Sequence, residues 1–141
     1  MKTSPSDAYG ALLRAAAAVS ARVNRRLAPH GLTASRFQTL CHLLSHGPLC
    51  PHDIAGRLCQ TRGNVTMVLD DLEGRGLVER RREGANRRYR VVHLTPRGRR
   101  LVTSLKPRHA RAVTEALGPL SARERRTLDS LCRRLEEPAV R

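Results

Sequence analysis

The chain has 141 residues, 40% of them hydrophobic, enough for one domain with a buried core. Its formal net charge of +15 is carried by arginine, since Lys2 and Lys106 are the only lysines, and points to a polyanionic partner. One Phe, two Tyr and no Trp exclude the aromatic platform of a single-strand nucleic-acid reader, and no apolar run approaches the about 20 residues of a membrane span.

The first ten residues, MKTSPSDAYG, have no apolar signal core. Cys41, Cys50, Cys59 and Cys132 are spaced too irregularly for a disulfide framework, so a cytoplasmic protein with reduced thiols is expected. Residues 8–28 place Leu13, Ala16, Val19, Val23 and Leu27 at helical spacing and predict a first helix. PHGLT ends it, and Thr33 can cap a second helix carrying Phe37, Leu40, Leu43 and Leu44. SHGPLCP reads as a turn. Pro51 then opens a short helix whose buried side is Ile54, Ala55 and Leu58. Thr61 caps the next, with a stripe of Val65, Val68, Leu69 and Leu72 and a left-handed stop at Gly76. LVERRREGANRRYRVVHL reads as a hairpin with its tip around Glu83–Arg87. Thr95 and Pro96 open a long helix in which Pro107 should produce a kink. Ser121 with Glu124 forms a capping box for a last helix striped by Leu128, Leu131 and Leu135. The resulting fold class is mainly α with a small β-hairpin wing, a winged helix–turn–helix.

Duplex DNA admits one helix into its major groove, and the N-terminal turns of that helix reach the base edges. With Val65, Leu69 and Leu72 facing the core, the helix after Thr61 presents Arg62, Gly63, Asn64, Thr66 and Met67 on its other side. Arg62 suits guanine, Asn64 suits adenine, and Thr66 or Met67 suits a thymine methyl. The helix start offers unpaired N–H groups to a phosphate, and Gly63 permits close backbone approach. Asp70 lies about 12 Å along the axis from Arg62, beyond the turns that enter the groove, and is placed to bind a neighbouring arginine. Asp71 is expected to repel a nearby phosphate.

The hairpin supplies the charge, with nine arginines and two glutamates from Glu79 to Arg100. Arg87 is expected in an adjacent minor groove, where narrow A·T tracts concentrate negative potential, with Arg88 divided between bracing the wing and holding phosphate. Thr61, Arg80, Arg88 and Arg97 are expected to hold phosphates or the wing.

HGLTASRFQTL, GPLCPHDIAGRL, TRGNVTMVLDDLEGRGLVERR and NRRYRVVHLTPRGRRL, in that order, resemble the MarR family of bacterial transcription regulators across nearly the whole chain. Asn64, Thr66, Asp70, Leu72 and Glu73 match its recognition-helix pattern, Leu77–Arg80 its first wing strand, and Leu94, Thr95, Pro96 and Gly98 its exit into the next helix. The chain departs from the pattern at Cys59, commonly a turn glycine, at Met67 and Asp71, usually basic, and at Asn86, usually the wing aspartate. The resemblance implies a homodimer: a winged-helix DNA-binding lobe at about 33–98, and dimerisation helices at about 5–30 and 99–138. It implies a pseudo-palindromic operator and a small-molecule effector that relieves DNA binding. Leu12, Leu40, His42, Leu105 and His109 are the candidates to line the effector pocket.

Rival readings concern sulfur, histidine and charge. Cys41, His42, His46, Cys50, His52 and Cys59 crowd one window, and His42 and His46 stand one turn apart, a spacing that can hold zinc. Zinc-sensing relatives, however, carry a His-rich fifth helix, where this chain has only His109. A thiol switch would use Cys59, in the DNA-binding turn, although oxidant-sensing relatives usually carry their reactive cysteine near the N-terminus and no cysteine precedes Cys41 in this sequence. A sequence-neutral DNA-coating protein would suit the charge but has no need of Asn64 and Thr66. Nothing resembles a catalytic triad, a phosphate-binding glycine loop or a paired-carboxylate pocket. No enzyme, cofactor or metal is expected.

Overall fold

The computed structural model describes residues 2–84 and 90–137. Helix α1 spans Pro5–Asn24, beginning ahead of the predicted start at residue 8. Ser4 explains the difference: its hydroxyl accepts from the Asp7 backbone N–H (3.1 Å), and the Asp7 carboxylate accepts from the Ser4 N–H (3.1 Å). Past the helix end Leu27 is buried, and a 3₁₀ turn at Ala28–His30 leads through Gly31 to α2, Ala34–His46, capped by Thr33.

Helix α3, Pro51–Leu58, and α4, Arg62–Gly74, form the helix–turn–helix. Between them Cys59 takes a left-handed backbone at φ 53°, the position where a glycine would be unstrained. Thr61 caps α4 by accepting from the Asn64 N–H (3.2 Å). At the other end Gly76, at φ 71°, donates its N–H to Glu73 (2.9 Å), and Leu77 donates to Leu72 (3.0 Å). This pair of bonds satisfies the helix's last carbonyls, as the position of Gly76 predicts.

Strand β1, Val78–Arg82, pairs antiparallel with β2, Arg90–Leu94, with Val78 opposite Leu94 and Arg80 opposite Val92. A feature beyond the local sequence signals is a bridge on the other edge of β2. Leu49, in the predicted turn, exchanges both backbone hydrogen bonds with Val92 (3.2 and 2.8 Å) and ties the α2–α3 connection to the wing.

Helix α5 spans Pro96–Ala116, unbroken through Pro107, and α6 spans Ala122–Glu136 behind the expected Ser121–Glu124 capping box. The start of α5 is locked to the base of the wing. The Thr95 hydroxyl donates to the Gly76 carbonyl (2.6 Å), and a Cβ on Gly98 would lie 2.0 Å from the Leu77 carbonyl oxygen. One core joins these elements: Phe37, Leu40 and Leu43 from α2, Ile54 from α3, Val65, Leu69 and Leu72 from α4, Val78 and Val92 from the strands, and Val102 and Leu105 from α5. Burial of each such side chain contributes about 1.5–3 kcal/mol.

Two segments remain largely outside this core. Helix α1 buries only Val23, and α6 buries nothing. Their apolar side chains Tyr9, Leu12, Leu13, Leu128, Leu131 and Leu135 are exposed. Among the described residues no helix is long and apolar enough to cross a membrane.

Candidate nucleic-acid interface

Helix α4 has two sides because its apolar residues recur at helical spacing. Val65, Leu69 and Leu72 are sealed in the core, whereas Arg62, Gly63, Asn64, Thr66 and Met67 are all exposed. Met67 is 71% exposed.

Several of these groups are already oriented. The Arg62 guanidinium donates to His52 Nδ1 (3.0 Å), which requires that ring nitrogen to be unprotonated and holds the arginine beside α3. The Thr66 hydroxyl donates to the Arg62 carbonyl (2.9 Å), so its proton is committed to the helix. Gln60, in the turn, donates from Nε2 to Ser35 Oγ (2.6 Å) and fastens the helix–turn–helix to the start of α2.

All three acids of α4 are paired within the protein. Asp70 accepts from Arg80 Nη2 (2.6 Å), as expected of an acid set back from the groove. Glu73 accepts from Arg80 Nε (2.8 Å) and from its backbone N–H (3.3 Å). The hydrogen bond from Arg80 holds the Glu73 carboxyl below its ordinary range. Burial opposes the Arg80 charge, but its bonds to Glu73 and Asp70 prevail and strengthen its hold on the proton. Arg80 therefore braces the wing against α4, the second of the two tasks the sequence allowed it.

Asp71 is likewise paired within the protein. Its Oδ2 lies 2.9 Å from Arg36 Nε and 3.0 Å from Arg75 Nε, and it ties α2 to the end of α4. Arg75 stands four residues on, a spacing that could have signalled the pair; Arg36 carries no such signal, because the contact joins separate helices.

Arg97 lies on the first turn of α5, in a cleft against Gly74 and Arg75, at the opposite end of α4 from Asn64. Arg87 and Arg88 at the wing tip, with Asn86 beside them, lie outside the described residues.

The five candidate effector-pocket residues occupy different settings. Leu40 and Leu105 are sealed in the core, and Leu12 is exposed on α1. The His109 ring rests on Phe37 with centroids 4.5 Å apart, and burial lowers its pKa. Half-buried His42 is also lowered, chiefly by burial and further by Arg57 and His46.

The His42 and His46 rings stack at 6.0 Å, and His46 Nε2 is occupied by Arg57 Nη1 (3.1 Å). Among the described residues no three His, Cys, Asp or Glu side chains converge as a metal site. Cys59 is exposed; Cys41, Cys50 and Cys132 are half-buried, and burial pushes the Cys41 thiol up.

The sequence model of the MarR family matches residues 32–89, which span α2 through the wing. The chain is 33% identical over 116 residues to the HTH-type transcriptional regulator YkoM of Bacillus subtilis, an alignment covering 82% of this chain and 75% of that protein. It is similar in structure to Bordetella bronchiseptica BpsR, whose DNA binding is regulated by 6-hydroxynicotinic acid. The TM-score is 0.85 at 28% identity, over 92% of this chain and 98% of that one. It is similar also to a mutant MarR from E. coli complexed with operator DNA. Here the TM-score is 0.79 at 25% identity, with 89% and 91% of the two chains covered.

Proposed function

The chain belongs to the MarR family of transcriptional regulators and is not an enzyme, and from that premise we propose that it is a homodimeric repressor that reads a pseudo-palindromic duplex operator. The observation that carries the proposal is α4 itself: the polar and apolar side chains at its N-terminal end stand clear of the protein's own core, beside a basic wing. In this reading Asn64 and Arg62 contact base edges, Met67 and the Thr66 methyl meet thymine methyls, and Thr61 and Gly63 bring the helix start to a phosphate. Arg87 reaches the minor groove, and Arg88 and Arg97 serve backbone or wing.

The apolar stripes of α1 and α6 support the dimer. Residues of about 5–30 and 99–138 would clasp a second copy, leaving the lobe of about 33–98 to face DNA. Closure of a two-fold dimer would also place Leu12 of one copy near the other's helices, where an effector pocket would be completed. A small molecule bound there would weaken DNA binding; in BpsR, DNA binding is regulated by 6-hydroxynicotinic acid.

Genomic DNA captured at physiological salt tests the proposal. One protected palindrome is expected, and Asn64→Ala should reduce discrimination between that site and its variants by about 1–3 kcal/mol. Equal loss on random duplex would remove Asn64 from base reading, and uniform binding that disappears steeply with salt would indicate a DNA-coating protein instead.

A further inference from the structure

Between the end of α4 and the first turns of α5 lies a cleft of about 740 Å³. Its walls carry Arg75, Arg97, Arg100 and His30, its apolar patches are Leu77 and Leu101, and no lining residue is acidic. None of the five candidate effector-pocket residues lines it. Among the described residues neither Arg97 nor Arg100 meets a carboxylate. Arg75 is only partly compensated, because Asp71 serves it and Arg36 with a single negative charge. Arg97 and Arg100 therefore bring two positive charges that no carboxylate of the described residues offsets, while the excess of the trio is shared with Arg36, which does not line the cleft. Gathering like charges in a concavity raises the local potential, which an anion of matching charge relieves.

We infer that this cleft is a binding site for a small organic anion carrying two negative charges, a dicarboxylate or a phosphate monoester, whose apolar body lies on Leu77 and Leu101. The charge follows from the arginines, whose planar forks each take two oxygens of a carboxylate or phosphate. The organic body follows from the two leucines, which offer an inorganic ion nothing. The site lies at the opposite end of α4 from the base-reading residues; it shares Arg97 with the proposed backbone or wing contacts and lies partly on the segments proposed to clasp a second copy, so its binding is measured without DNA.

Calorimetric titration of the full-length protein, in the absence of DNA, tests the site with phthalate and phenyl phosphate as the dianions. Benzoate supplies the ring with one charge, and sulfate supplies the charge with no body. Saturable binding of one dianion per chain is expected, at least about tenfold tighter than benzoate or sulfate. Arg100→Ala should weaken it by a further factor of about ten, and Ser104→Trp, which fills the cleft from an exposed position, should abolish it with the arginines intact. Circular dichroism would establish that both variants are folded. No saturable binding, equal affinity for benzoate or sulfate, or indifference to both substitutions would overturn the inference. So would a result in which Arg100→Ala alters only the salt dependence of duplex binding, since the arginines would then be holding DNA phosphates.

Discussion

A single backbone angle at Cys59 carries a measurable cost. A left-handed residue with a Cβ loses about 1–2 kcal/mol, part of which glycine gives back through its freer unfolded chain. Cys59→Gly should therefore stabilise the protein by about 0.5–1 kcal/mol, read as a higher urea midpoint at unchanged slope. An unchanged midpoint would mean that the turn has relaxed. His109 gives a second test, in pH. Its ring is half-buried on Phe37 and its pKa lies below the ordinary 6.5. The unfolded chain therefore takes up the proton first. The contribution of His109 is complete above about pH 6.5 and is lost as pH falls toward the lowered value. His109→Leu should remove part of the stability that the wild type loses between about pH 7.5 and 5.5; an identical loss in both would assign it to other groups. Asn64 and Met67 were legible as outward-facing because the apolar spacing of Val65, Leu69 and Leu72 leaves them no other side. The settings of Arg62 and Asp71 were not, since His52 and Arg36 reach them from other helices.

At the scale of elements, helix ends were the most readable features. Thr33, Thr61, Thr95 and Ser121 cap where the sequence places them, because a capping hydroxyl acts within four residues. The start of α1 was missed only because its cap, Ser4, precedes the apolar run that signalled the helix. Contacts between elements were less readable. The Leu49–Val92 bridge joins residues 43 positions apart, and no local pattern announces it. Gly98 was matched as a family position, but its physical reason appears only when α5 meets the wing. A methyl there would intrude on the Leu77 carbonyl at 2.0 Å. Gly98→Ala should cost about 3 kcal/mol and loosen the base of the wing. Hydrogen exchange would show it as faster exchange at Val78–Arg82 and Arg90–Leu94, while α1 keeps its protection. Unaltered exchange in the strands would mean that α5 docks without needing the close approach.

For the whole molecule, the distribution of apolar surface matters most. The lobe from α2 to the wing seals its core within one chain, whereas α6 and much of α1 hold leucines that none of the described residues covers. An amphipathic helix is stabilised mainly by burying its apolar face, and in the proposed dimer a second copy would cover these helices. A dimer would turn one reading helix into two and set their spacing to one turn of duplex, giving a palindrome its meaning. Sedimentation equilibrium of the protein on its captured operator duplex, at physiological salt, addresses this most directly. Two chains should bind each duplex as a unit, with no one-chain complex populated. A single chain per duplex, binding independently of any second, would contradict the account.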